Sequence, residues 1–157
     1  MITRVFHLAA LLCCLLIPVA CATAQVKGDP AAMVHGIYNQ LLDPNIPAPS
    51  DFELLRPLAS DRLQDLLDRE IACQEQGDET CKYGFSVIVD GQDFDLTNLA
   101  IDETLHQSDS AEVTASFHNF GEPKQVVFVF QKQGAGWVLE DVQSRDQSGW
   151  SLASILQ

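Results

Sequence analysis

The hydrophobic repeat of this chain changes period once, and that change fixes what it can fold into. Before residue 85, apolar side chains recur at three- and four-residue spacing; after it they alternate with polar ones. The first period buries one face of a helix and the second buries one face of a strand. Helices first and strands second is an α+β order, with N-terminal helices packed on a curved antiparallel sheet.

The helical half carries its own start signals. Asp29 and Pro30 are an N-cap and a first helical residue, followed by Met33, Val34, Ile37, Tyr38 and Leu41 on one face. Pro44, Pro47 and Pro49 make residues 43–50 a loop. Residues 51–56 are one helical turn, stopped by Pro57. Ser60 caps the next helix, which turns Leu63, Leu66, Leu67 and Ile71 inward and Asp65, Asp68, Arg69 and Glu70 outward.

Residues 85–89 then read as a short apolar strand ended by Asp90 and Gly91, with a further strand within 96–107. Ala111, Val113, Ala115 and Phe117 alternate with Glu112, Thr114, Ser116 and His118, which suits a strand with one wet face. Residues 126–130 are the most apolar stretch and predict a central strand, and residues 137–142 another. Trp150 folds back with Leu152 and Ile155 onto the sheet.

Residues 1–24 read as a signal peptide. Arg4 precedes the apolar run 8–19, roughly a dozen residues, which suits a signal core and is too short for a bilayer span. Ala22, Thr23 and Ala24 form a small-x-small site, predicting cleavage between Ala24 and Gln25 and a single mature domain over 25–157. A rival route starts from Pro18, Val19, Ala20 and Cys21, an imperfect lipobox that would anchor the chain by a lipid on Cys21. No later stretch approaches the length of a membrane span. About 130 residues can bury roughly two-thirds of the unfolded surface, enough for one core.

Three of the five cysteines lie in the leader, leaving Cys73 and Cys81. In an oxidising compartment such a pair reads as a disulfide. A loop this short would contribute about 2.5 kcal/mol on the chain-entropy model. A redox or half-metal role has less behind it, because there is no Cys-x-x-Cys and no neighbouring His.

Charge narrows the partners. Twenty-two acidic residues against nine basic ones give a net charge of −13. A nucleic-acid binder needs cations to displace phosphate counterions, and an anionic membrane surface attracts polybasic segments. This composition suits neither. It fits a secreted protein kept soluble by its acids, or one steered to a basic partner.

Signals for chemistry are few. Asp90, Asp93 and Asp95 stand close together and could offer oxygens to a hard cation, but their spacing departs from the EF-hand and suits a carboxylate-rich turn. Asp93, His118 and Tyr38 carry side chains able to act as acid or base. Each has a plainer role: Asp93 and His118 in structural hydrogen bonds or facing solvent, Tyr38 in the core. His35, His106 and His118 have no paired metal spacing, and no nucleophile elbow, zinc-protease motif or phosphate loop is present. No cofactor is implied.

Several segments in order carry a family resemblance: His35-Gly36-Ile37-Tyr38, then Gly91-Gln92-Asp93-Phe94, then the strand from Ser110 to Phe117, then Gly136-Trp137-Val138-Leu139-Glu140-Asp141-Val142. Together they resemble the exported bacterial family 3828 of the domains of unknown function. That family looks like the nuclear-transport-factor-two-like, or cystatin-like, cone. Ser86 and Val87 stand where relatives often carry Asp-Pro. The resemblance implies the α+β cone, an envelope location, periplasmic or secreted, a semi-buried and structural Asp93, and a pocket between sheet and helices in which Asp93, His118 or Tyr38 would be the acid/base residue. It implies no particular activity.

The expected function is a non-enzymatic binding or accessory module of the cell envelope, its partner a protein or small ligand. The alternatives are a small cone-fold enzyme using an acid/base residue in the pocket, and a lipid-anchored subunit of an envelope complex.

Overall fold

The computed structural model describes residues 28–77, 80–146 and 149–157. The expected leader, its cleavage point between Ala24 and Gln25, and Cys21 lie outside the described residues.

Helix α1 (Pro30–Leu41) starts where Asp29 accepts the Ala32 N–H at 3.1 Å, with Pro30 in the first turn. It buries Met33, Val34, Ile37, Tyr38 and Leu41, the stripe its periodicity predicts. Helix α2 (Asp51–Leu55) opens with a capping box in which Ser50 and Glu53 satisfy each other's backbone N–H groups. A single 3-10 turn, Arg56–Leu58, takes up Pro57. Helix α3 (Asp61–Glu75) is capped by Ser60, and Arg56 pairs with Asp68 along its exposed side.

The second half is a meander of four antiparallel strands: β1 (Leu96–His106), β2 (Ser110–Asn119), β3 (Glu122–Gln133) and β4 (Gly136–Ser144), adjacent in sequence order. Register puts Val113 opposite Phe128, and Phe128 opposite Val142. Ala111 faces Phe130 and Ala115 faces Val126 on the same side. Tyr38 of α1 packs edge-on to Phe128 and tilted to Phe117, with ring centroids 6.2 and 6.0 Å away. The core lies between this sheet face and the helices, so the fold is α+β with helices on a curved antiparallel sheet.

The two sheet edges differ. Alongside β4, Ala59 forms a parallel bridge to Leu139, and the Ser60 N–H donates to the Leu139 carbonyl at 2.8 Å. Further along, Ser151 bridges Gln143. Helix α4 (Leu152–Ile155) closes that side, burying Leu152 and Ala153, and Leu156 follows them into the core. The outer side of β1 has no strand partner among the described residues. None of the described helices is long and apolar enough to cross a membrane.

Two local expectations are corrected. Residues 85–89 are not a strand. Ser86 and Gly91 exchange backbone hydrogen bonds and close a turn in which Val87, Ile88 and Val89 are fully buried. The run is apolar because it plugs the core, and its backbone is satisfied by side chains rather than by a neighbouring strand. Glu70, expected on the wet face of α3, is buried because its carboxylate accepts the Lys82 and Tyr83 N–H groups at 3.2 and 3.0 Å.

Candidate functional site

The plug formed by residues 86–91 is held by three side chains from far along the chain. Asp51, at the start of α2, is buried, and its carboxylate accepts from four donors. These are the Ser86 hydroxyl at 2.8 Å, the Val87 N–H at 2.8 Å, the Ile88 N–H at 3.3 Å, and the Tyr83 hydroxyl. The Tyr38 hydroxyl donates to the Ile88 carbonyl at 2.8 Å. The Asn119 amide donates to the carbonyls of Val89 and Asp93 and accepts the Asp95 N–H. Gly91 sits against that amide: a Cβ there would come within 3.1 Å of the Asn119 nitrogen.

Both tyrosines are held protonated. Burial, reinforced by the nearby Asp51 charge, raises the Tyr38 phenol well above its ordinary pKa. The same two causes, with the hydrogen bond to Asp51 added, raise Tyr83.

On the outside of this polar strut lies an open cleft of about 740 Å³. Leu41 from α1, Pro49 from the loop, Phe52 from α2, and Tyr83, Phe85 and Phe94 from the segment leading to β1 supply its apolar wall. The aromatics are continuous: Phe52 tilts on Tyr83 at 5.0 Å, Tyr83 stacks parallel to Phe85 at 6.3 Å, and Phe85 meets Trp150 edge-on at 5.3 Å. Cys73 and Cys81 form a disulfide that ties the last turn of α3 to this wall, and Cys81 lines the cleft.

A second strut fixes the far end of the aromatic row. Asp90, in the left-handed region at φ 49°, accepts the Trp150 indole N–H at 2.7 Å and the Lys124 ammonium at 3.0 Å. Asp141 plays a similar part beside α4, accepting the Ser151 hydroxyl at 2.6 Å and the Ala153 N–H at 2.9 Å.

The structure separates the residues singled out for chemistry. Among the aspartates near the turn, Asp90 is the buried one, with its side chain 8% exposed, whereas Asp93 and Asp95 are exposed. Asp93 is therefore not the semi-buried member. It contributes a backbone carbonyl to Asn119, and Asp90 turns inward because its left-handed backbone aims it at Trp150 and Lys124. Among the described residues, Asp90, Asp93 and Asp95 do not converge into a metal-holding cluster. His118 is half-buried on the sheet face away from the core, next to the Asn98 amide. Tyr38 is in the core with its hydroxyl engaged. None of Asp93, His118 and Tyr38 lines the aromatic cleft. Asp51 and Tyr83, which build it, carry no local sequence signal beyond a helix start and an apolar neighbour, because their partners lie more than thirty residues away.

No family model matches the chain, and no curated protein matches it. Among solved structures the chain is similar to a phospholipid-binding protein from Ralstonia solanacearum, determined in complex with a phospholipid. The identity is 17% and the TM-score 0.38, over 85% of this chain and 75% of that one, a likeness too slight to transfer a fold or a ligand.

Proposed function

We propose that this protein is an exported, non-enzymatic binding or accessory module of the cell envelope, and that it engages its partner in the aromatic cleft. One observation carries the reading: the cleft presents aromatic surface while the carboxylate, phenol and hydroxyl groups of its wall are already spent on the protein itself. Asp51 has both carboxylate oxygens occupied, the Tyr83 hydroxyl donates its hydrogen bond to Asp51, and Ser50 is committed to the cap of α2. Apolar surface with fixed, satisfied polar groups favours desolvation and shape-matching over proton transfer. Each 100 Å² of apolar partner surface buried there would contribute about 2.5 kcal/mol before the costs of association.

The export part of the reading is supported by the Cys73–Cys81 disulfide, which persists in oxidising compartments, and by the leader-like residues 1–24. Membership in the exported family 3828 is part of the same proposal, supported by the order of segments from His35 to Val142.

The test is site-specific photocrosslinking in native envelopes. A benzophenone amino acid in place of Phe94 should capture a discrete partner, and the same probe in place of Asp109, on the exposed turn between β1 and β2, should not. Equal capture from both positions, or none from position 94, overturns the reading.

A further inference from the structure

We propose, resting on that reading of the cleft, that its occupant is a cationic peptide segment bearing apolar or aromatic side chains. Among the described residues, the cleft wall holds no basic side chain. The charged positions that interrupt its lining are mostly acidic and exposed: Glu75 follows Gln74, Asp93 lies between Gln92 and Phe94, and Asp95 comes next. Lys82, between Cys81 and Tyr83, is the one base in those flanks. The whole chain adds a net charge of −13, so the field around this cleft draws cations in and turns phosphate-bearing ligands away.

Shape selects a peptide over a hydrocarbon chain. The cleft is an open trough, so a bare acyl chain would keep one side in water, whereas a peptide can place alternate side chains inward and outward. Inward apolar groups meet Phe52, Phe85 and Phe94, and lysine or arginine side chains reach the acidic rim and the aromatic faces. The Gln92 side chain, exposed on the wall, makes no hydrogen bond to a described residue and can serve a peptide backbone group. Next to this wall, the Phe120 N–H donates to the Asp95 carbonyl, which brings the turn between β2 and β3 beside Asp95. Phe120 is 63% exposed and sits in the left-handed region at φ 50°, where glycine or asparagine is usual. An exposed aromatic is thus kept in a strained position close to the segment that carries the cleft wall.

The experiment is a fluorescence-anisotropy titration of the intact protein with three labelled twelve-residue peptides. One alternates leucine and phenylalanine with lysine; the second replaces lysine with serine; the third replaces it with glutamate. We expect the lysine peptide to bind about tenfold tighter than the serine one in 50 mM salt, with the gap closing in 500 mM salt as screening takes over. The triple variant Glu75→Gln, Asp93→Asn, Asp95→Asn should remove that gap. A control triple, Asp65→Asn, Asp102→Asn, Asp109→Asn, should retain most of it. Phe94→Ser should weaken both the lysine and the serine peptide.

If the lysine and serine peptides bind alike and both depend on Phe94, the cation preference is overturned and the cleft reading stands. If the glutamate peptide binds best, or the control triple matches the rim triple, the cation preference is likewise overturned. If no peptide binds, or binding ignores Phe94→Ser, the peptide assignment falls, and the crosslinking result at position 94 decides whether the cleft reading falls with it.

Discussion

The carboxylate of Asp90 accepts the indole N–H of Trp150 at 2.7 Å, across sixty residues of chain. Through this contact the turn that plugs the core holds the segment entering α4. Trp150→Phe removes the donor while keeping the ring contact with Phe85. We expect a loss of about 1–2 kcal/mol in urea unfolding, because a buried acceptor is left short of a partner. Asp90→Ala should cost more, about 2–4 kcal/mol, since it removes the acceptor of both Trp150 and Lys124, leaving Lys124 only the more distant Asp146 at 3.9 Å, and puts a residue with no local hydrogen bond into the left-handed region. If both variants lose less than 0.5 kcal/mol, as ordinary surface substitutions do, the strut is not structural.

Asp51 is the second strut, and its neutral isostere is informative. Asp51→Asn keeps the shape but turns an amide nitrogen toward a site filled with donors. We expect a destabilisation of about 2–4 kcal/mol, and local amide exchange at Val87 and Ile88 rising ahead of global unfolding. Exchange that stays uniformly slow would mean that packing alone holds the turn.

These struts explain what was legible in the sequence. The caps at Asp29 and Ser60 and the alternation from Ala111 to Phe117 are local rules, and α1, α3 and the strands follow them. The stretch 85–89 obeys the same local rule for a strand and is a buried turn. Its hydrogen-bond partners are Tyr38, Asp51 and Asn119, and periodicity carries no information about side chains that far away. Glu70 misled for the same reason, because its partners are backbone N–H groups in the loop stapled by the disulfide. Asp90 and Asp93 are indistinguishable by composition, and a backbone angle decides which one is buried. The cleft is assembled by these non-local contacts, so it was the least legible part.

The two tyrosines of the chain, Tyr38 and Tyr83, give a pH prediction. Both have folded-state pKa values raised above the ordinary phenol value of 10.0. Above that pH the unfolded chain releases two protons that the folded protein keeps, so stability falls as pH rises. The contribution is intact below pH 10 and declines above it by about 2.7 kcal/mol per pH unit for two groups. An ultraviolet titration should show no phenolate absorbance near pH 10 in the native protein, then a cooperative rise coincident with loss of tertiary circular dichroism. A smooth non-cooperative titration centred on pH 10 would place at least one hydroxyl in water.

Removing the disulfide with Cys73→Ser and Cys81→Ser together should cost about 2–3 kcal/mol, the loop-closure entropy of a short ring. The loss should register first at the cleft, because Lys82 and Tyr83 are positioned by Glu70 beside the bridge. Denaturant midpoints with and without a dithiol reductant provide the check. Equal midpoints would show that the Glu70 contacts suffice without the bond.

Phe120→Asn should stabilise the protein by about 0.5–1 kcal/mol, because asparagine tolerates the left-handed backbone and the ring makes little buried contact. Thermal unfolding would show a rise of a few degrees. A fall would mean that the ring packs on Phe94 strongly enough to outweigh the strain.

The side of β1 that has no strand partner among the described residues has a consequence for how copies of this protein meet. An open row of backbone N–H and C=O groups is a template on which another strand can zip, and chains with such an edge tend to grow into fibres. Here the row is bent by register breaks between Thr97 and Ala100 and between Glu103 and Leu105, with Asn98 in the left-handed region. Asp102 and Glu103, both exposed, put like charges where two such edges would come together. Concentrated salt screens that repulsion, so copies of the protein should meet along this strand more readily as ionic strength rises.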